Sequence, residues 1–165
     1  MFSSRFIQAT RDFATYEKPV CAPCLRKTFT LENTFGKASL ILTSTGFYRL
    51  WVNGKEITAS RLAPCMTNPD DILFYDIYDV TPYLKPGQNC LAFLLGNGFS
   101  NAIGGFIWEF DKAVFRSSPK LALSFEADCG EQRMSFEADE SFKCASSPIF
   151  FDDLRSGEFY DANAE

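Results

Sequence analysis

The stretch GFYRLWVNGKEI, residues 46–57, decides the fold. Tyr48, Leu50 and Val52 alternate with the three residues between them, which is the period of a strand that has one face on a core. Asn53 and Gly54 both tolerate positive φ, so they predict a tight hairpin turn. Residues 55–59 are then the expected return strand.

The same alternation extends outward along the chain. It marks strands near residues 29–31, 38–43, 72–78, 90–95 and 120–125, and a turn at 128–130 predicts a further hairpin that ends near Phe136. Only one short helical turn is predicted, at residues 81–84, with Thr81 as N-cap and Pro82 at the first helical position. We therefore expect an all-β, antiparallel β-sandwich. Residues 1–150 form its single domain, and residues 151–165 are expected to be an acidic tail or connector.

Composition excludes several functions. The chain has 165 residues, 18 phenylalanines and no histidine, which rules out imidazole bases and zinc sites with histidine ligands. Its net charge of −5 disfavours nucleic acid as a partner. We also expect no membrane span and no secretion signal, and therefore a cytoplasmic protein whose six cysteines are free thiols. Most of the phenylalanine is expected to lie between the two sheets.

Candidate catalytic and metal-binding groups are weak. Cys21 and Cys24 form a lone CxxC that precedes a strand, whereas a redox pair opens a helix. The adjacent carboxylates at 70–71 and 152–153 point to opposite faces of an extended chain, so neither pair makes a catalytic dyad, although both stretches permit a calcium ion. We predict no catalytic residue, no metal site and no cofactor.

Two surfaces are candidates for binding. The first is formed by Phe47, Arg49 and Trp51, which point away from the predicted core. This face could be a docking surface for another domain, an ordinary packing face or a platform for a sugar ring. The glycine-rich loop that follows Leu95 offers amide and aromatic groups typical of carbohydrate recognition, and its alternative is an irregular sandwich loop. The loop's candidate sugar-binding residues are Asn97, Phe99, Asn101 and Trp108.

Several segments, in order, resemble the N-terminal β-sandwich domain of bacterial α-L-rhamnosidases. Phe142 and Phe99 stand where that family often has tryptophan. The similar segments are SRFIQA (4–9), CLRKTFTL (24–31), GFYRLWVNGKEI (46–57), the block from RLAPC (61–65) to LGNGF (95–99), DESFKCASSPI (139–149) and SGEFYDA (156–162).

The resemblance implies a jelly-roll, galactose-binding-like domain with an accessory role. In that family the catalytic carboxylates lie on a separate (α/α)₆ barrel, so we expect this chain alone to be inactive and its partners to be that barrel and rhamnosylated glycans. The domain would assist substrate recognition and brace the barrel. A purely structural docking module and a freestanding lectin-like protein remain alternatives. The closing segment adds Glu158, Tyr160 and Asp161 to the candidate docking residues.

Overall fold

The computed structural model describes residues 5–32, 34–58, 60–105, 108–130 and 132–164. These residues form twelve strands and three turns of 3-10 helix, and they contain no α-helix. None of their helical segments has the length and apolar character needed to cross a bilayer. The 3-10 turns are Thr81–Tyr83, Phe110–Lys112 and Ala162–Ala164. The strands are β1 (Ile7–Gln8), β2 (Pro23–Leu31), β3 (Ala38–Thr45), β4 (Phe47–Val52), β5 (Lys55–Glu56), β6 (Asp76–Asp79), β7 (Gly87–Gly96), β8 (Lys120–Cys129), β9 (Gln132–Glu137), β10 (Lys143–Ser146), β11 (Ile149–Asp153) and β12 (Gly157–Tyr160).

Two antiparallel sheets form the sandwich. The first has the order β1-β8-β3-β6 with β9 also on β8, and the second has the order β10-β2-β7-β4-β5. The predicted hairpins β4–β5 and β8–β9 are both present. The return strand β5 ends at Glu56, and position 59 of its predicted range lies outside the described residues. The jelly-roll β-sandwich predicted from the sequence is therefore confirmed.

Two turns show why glycine is needed at special positions. Asn53 and Gly54 have φ of 50° and 82°, as the hairpin prediction requires. Gly46, at φ 84°, is the single residue between β3 in one sheet and β4 in the other. A Cβ at Gly46 would lie 2.2 Å from the carbonyl oxygen of Gly96, so only glycine fits this crossing.

The core lies between the two sheets. Tyr48, Leu50 and Val52 are at most 1% exposed, which confirms the inward face of β4. Phe125 stacks on Phe136 with ring centroids 4.7 Å apart and packs at a tilt against Phe29 at 4.8 Å. Each such buried side chain contributes roughly 1.5–3 kcal/mol to folding. Six of the 18 phenylalanines belong to this core or pack against it, so the expectation that most lie there is wrong. Three others form a second aromatic cluster in the β7–β8 loop.

The short helical turn is present, but its cap differs from the prediction. Val80 occupies the N-cap position and makes no side-chain cap hydrogen bond. The Thr81 hydroxyl instead accepts a hydrogen bond from the Ala38 backbone N–H at 2.8 Å, which ties the turn to β3. The Asp79 carboxylate accepts from the Thr81 N–H at 3.0 Å and starts the turn. Hydrogen bonding from the Thr81 side chain and from its backbone N–H holds the pKa of Asp79 below its usual range.

The predicted domain boundary at residue 150 is wrong. Residues 151–160 are not a tail, because β11 and β12 pair as an antiparallel hairpin. Phe151 is 6% exposed and packs with Ala14, Val20 and Ile103 in a second, smaller core. This hairpin is therefore part of the folded domain, and its turn reaches the candidate site.

Candidate functional site

Segments from four parts of the chain enclose a groove of about 740 Å³. They are the start of β4, the β5–β6 loop with the first residue of β6, the β7–β8 loop, and the turn of the β11–β12 hairpin. We call this site the aromatic groove. Its principal lining residues are Phe47, Leu62, Met66, Asp76, Phe99, Trp108, Leu154 and Arg155.

Trp108 is the most prominent side chain of the aromatic groove. It is 63% exposed, yet neighbours hold its ring in place. The Arg155 guanidinium lies 4.4 Å from the ring centroid, and the Phe110 ring lies 5.8 Å away. Phe99 packs edge-on against Phe110 at 5.1 Å. A cation–π contact with Arg155 and a ring contact with Phe110, which Phe99 supports from behind, thus fix an exposed indole ring in the wall of the groove.

Asp76 supplies a fixed carboxylate to the same groove. Its Oδ2 accepts a hydrogen bond from the Tyr48 hydroxyl, which also lies 2.9 Å from the Tyr78 hydroxyl. Burial, reinforced by the hydrogen bonds to Asp76 and Tyr78, raises the pKa of Tyr48 far above its usual range, so the hydroxyl stays a donor. Within the described residues Asp76 Oδ1 accepts no hydrogen bond. That oxygen is available to a polar ligand.

Asn97 and Asn101 do not present their amides to a ligand, which corrects the role predicted for them. They are 2% and 1% exposed. Asn97 Nδ2 donates to Asp152 Oδ1 at 2.6 Å and to the Val20 carbonyl at 2.9 Å, while its Oδ1 accepts from Asn101 Nδ2 at 2.7 Å. Asn101 Oδ1 accepts from the Ala14 backbone N–H at 3.0 Å. Both amides are used inside the fold, because buried amides need internal partners.

Their internal role is to fasten the hairpin to the loop that carries Phe99 and Trp108. In addition to the side-chain hydrogen bond, Asp152 Oδ2 accepts a hydrogen bond from the Asn97 backbone N–H at 2.7 Å. Burial raises the pKa of Asp152, and the two hydrogen bonds from Asn97 oppose that rise. The clamp fixes the β11–β12 hairpin, and therefore the turn that carries Arg155, beside Trp108.

The predicted docking residues separate into two places. Phe47 lines the aromatic groove, whereas Arg49, Trp51 and Tyr160 line a second depression of about 590 Å³ on the outer face of the second sheet. We call this depression the outer trough. Its floor and walls include Cys24, Arg26, Arg49, Trp51, Ala92, Leu94, Lys143, Ala145 and Tyr160.

Arg49 is held firmly on the wall of the outer trough. Its Nε and Nη2 donate to the two carboxylate oxygens of Glu56 at 2.9 and 2.6 Å, and its guanidinium lies 4.8 Å from the Trp51 ring centroid. These bonds lower the pKa of Glu56 and raise that of Arg49. Glu158 and Asp161 are exposed near the trough's Tyr160 end.

The remaining sequence candidates have structural explanations. Cys21 and Cys24 are free, as are the other four cysteines. Asn68 Nδ2 donates to Asp71 at 2.7 Å, which closes the turn at 68–72 on itself. Among the described residues no three His, Cys, Asp or Glu side chains converge as a metal site.

Sequence reasoning missed Asp76 and Arg155 as members of the groove. Asp76 is one of the two acidic residues of β6, and Arg155 lies in the stretch predicted to be a tail. The available signal for Arg155 was its position between FF (150–151) and FY (159–160), two aromatic pairs separated by a polar turn sequence. Only the fold shows that this turn reaches Trp108.

Comparison with known proteins agrees with this architecture. The model of the alpha-L-rhamnosidase N-terminal domain family matches residues 33–165. An α-L-rhamnosidase of Formosa agariphila is 28% identical over 149 residues, which are 87% of this chain and 15% of the relative. The crystal structure of Streptomyces avermitilis α-L-rhamnosidase complexed with L-rhamnose superposes with a TM-score of 0.80 at 30% identity, over 89% of this chain and 14% of that one. A native α-L-rhamnosidase of Aspergillus terreus, 21% identical, shares the fold with a TM-score of 0.81 over 99% of this chain and 18% of that one.

The fold and the groove define a jelly-roll β-sandwich domain with an aromatic-lined groove. The match over residues 33–165 makes the assignment specific. The chain belongs to the family of α-L-rhamnosidase N-terminal domains. It spans about 15% of the length of the curated relatives that it matches.

Proposed function

We propose that this chain is the accessory, non-catalytic domain of an α-L-rhamnosidase-like glycoside hydrolase. In this proposal its aromatic groove contacts the carbohydrate substrate, and the sandwich braces the catalytic barrel. Family membership and the small share of each relative that the chain covers support an accessory role. The chain by itself would then bind sugar without hydrolysing it.

One observation carries the proposal: Trp108, Asp76 and Arg155 share one groove. A pyranose ring has an apolar face of C–H groups and an edge of hydroxyl groups. An exposed, fixed indole packs on the face, while a carboxylate and a guanidinium bond the hydroxyls. This combination of apolar lining with a few placed polar groups is typical of small-molecule sites.

The apolar side chains of the groove favour a deoxysugar. L-Rhamnose carries a methyl group where other hexoses carry a hydroxymethyl group, so it offers more apolar surface. Leu62 and Met66 provide an apolar wall for such a methyl group. The Streptomyces avermitilis relative was solved with L-rhamnose, which makes this sugar the first ligand to test.

Calorimetric titration of the chain with L-rhamnose and with a rhamnosylated flavonoid tests the proposal. Trp108→Ala should weaken binding about fivefold, because a ring contact of this kind contributes roughly 0.5–1.5 kcal/mol beyond area burial. Trp51→Ala is the matched control, since Trp51 lies in the outer trough, and it should bind sugar as the unaltered chain does. Absence of heat at millimolar sugar would contradict the proposal.

The second candidate function is a structural docking module without sugar binding. It is favoured by the apolar character of the groove, where Leu62 and Leu154 are 59% and 43% exposed. Exposed apolar patches commonly mark interfaces. In that case Trp108→Ala would lower the unfolding temperature of the full-length enzyme, and no sugar would bind at any concentration tested.

We also propose a cytoplasmic location. The six free cysteines support it, because free thiols are typical of reducing compartments. Thiol counting on protein extracted under alkylating conditions tests this point. Six alkylated cysteines are expected, and a disulfide would contradict the location.

A further inference from the structure

The outer trough has a floor of small apolar side chains. On the outer face of the second sheet, Ala145, Cys24 and Leu94 lie in one row across three strands, and Arg49 ends that row on β4. Residues directly opposite each other on neighbouring strands point to the same face of a sheet, so all members of this row lie on one face. The floor is therefore formed by Cys24, Leu94 and Ala145, and Arg49 and Trp51 border it on β4.

The neighbouring row carries an uncompensated positive charge. Lys143 is directly opposite Arg26, and Arg26 is directly opposite Ala92. Like charges placed opposite each other across strands are destabilising. Both side chains are exposed, and neither makes an ion pair with any residue that the structure describes. On a chain with a net charge of −5, this pair calls for an anionic partner from outside.

We infer that the outer trough is a docking surface for an α-helix from another domain of the same enzyme. The helix would lay an apolar stripe on the floor formed by Cys24, Leu94 and Ala145 and place acidic side chains against Arg26 and Lys143. This inference rests on the proposed accessory role, and it names the partner of the bracing surface.

The dimensions fit a helix. The trough extends over β10, β2, β7 and β4, and three strand spacings of about 4.8 Å span roughly 14 Å. An α-helix with its side chains is about 10–12 Å across. Small floor residues let such a helix approach closely, and Trp51 bounds it on one side. A second copy of this chain could not supply the partner, because its described residues contain no α-helix.

Zero-length cross-linking tests the inference. A carbodiimide joins a lysine amine to a carboxylate that pairs with it, and mass spectrometry of the digested full-length enzyme then identifies the partner. We expect Lys143 to be linked to an Asp or Glu outside these 165 residues, within a helical segment. Lys112, which pairs with Glu109 at 2.5 Å, is the internal positive control.

Removal of single charges gives a second test of the same link. In the Lys143→Arg background no carbodiimide link can form at that position. In the Arg26→Ala variant, which adds no new carboxylate beside Lys143, the link from Lys143 to the carboxylate outside these residues should weaken, whereas Lys85→Ala at an exposed position away from the trough should leave it unchanged. A Lys143 link only to residues of this domain or to a second copy would overturn the inference. The absence of any Lys143 link, with the Lys112 link present, would do the same.

The result is independent of sugar binding. The sugar titration reports on Trp108, in a different depression from Lys143. Loss of the cross-link with sugar binding intact would refute the helix docking alone. A cross-link without sugar binding would leave the docking in place and refute carbohydrate recognition.

Discussion

The clamp between Asn97 and Asp152 gives the sharpest stability prediction. Asn97→Ala removes the two hydrogen bonds that Asn97 Nδ2 donates, to Asp152 and to the Val20 carbonyl, and the one that its Oδ1 accepts from Asn101. Each stranded buried partner costs roughly 1–3 kcal/mol, and more when it is charged. Allowing for water that enters the space, we expect the free energy of unfolding to fall by about 3–5 kcal/mol. That is a large share of a typical total of about 5–15 kcal/mol.

Urea denaturation followed by tryptophan fluorescence measures this loss as a lower midpoint at similar slope. The unfolding temperature should fall by about 10 °C, since 1 kcal/mol corresponds to roughly 2–4 °C at this chain length. Asn68→Ala is the matched control, because its amide is exposed and bonds only within its own turn, and it should change stability by less than about 0.5 kcal/mol. A loss below about 1 kcal/mol for Asn97→Ala would refute the clamp.

Three further predictions concern the same end of the molecule. Gly46→Ala should destabilise the fold by more than about 2 kcal/mol in urea denaturation, since its Cβ would lie 2.2 Å from a backbone carbonyl oxygen. Gly157→Ala is the control, because its Cβ would meet nothing within 4 Å and the variant should cost only the strain of its positive φ. Equal effects of the two variants would contradict the packing argument. Because burial raises the pKa of Asp152, the folded state binds its proton more tightly, so this group's contribution to stability falls as the pH rises from about 3.9 towards the raised value. The carboxyl carbon shift in NMR should report that higher pKa, and a normal value would contradict the burial. Arg155→Ala should remove the cation–π contact of Trp108 and shift its fluorescence emission to longer wavelength, and unchanged emission would show that the contact is not formed in solution.

The sandwich was predictable because its strands obey a simple rule. In β4 and β8 the apolar residues alternate, and the inward residues Leu50 and Leu123 are fully buried. The Asn53–Gly54 turn is equally local, since both residues adopt the positive φ that the dipeptide favours. Where one face of a strand packs on a core, apolar residues recur at every second position, and this alternation identifies the strand in the sequence.

The hairpin at the end of the chain was not predictable by the same rule. In β12 all four residues are exposed, so no inward face marks the strand. Its pairing with β11 is stabilised instead by ring contacts, such as Phe151 with Phe159 at 5.1 Å. A strand without a buried face leaves no alternation in the sequence, and the stretch was therefore interpreted as a tail.

The candidate site was predictable only in part, because its members come from distant segments. Phe99 and Trp108 were identified from loop composition, and the structure brings both into the groove. Asn97 and Asn101 have the same composition signal, yet they are buried as structural amides. A sequence does not distinguish an amide that faces a ligand from one that bonds backbone groups, since the difference lies in contacts such as Val20 and Asp152.

The two tryptophans allow one direct measurement of the central claim, that the aromatic groove of this domain recognises carbohydrate. Each tryptophan gives one indole N–H resonance in a nitrogen–proton correlation spectrum, and Trp51 in the outer trough serves as the internal reference for Trp108. We predict that titration with L-rhamnose to millimolar concentration moves the Trp108 indole resonance in a saturable manner and leaves that of Trp51 in place. An unmoved Trp108 resonance, or a saturable shift at Trp51 alone, would contradict the account.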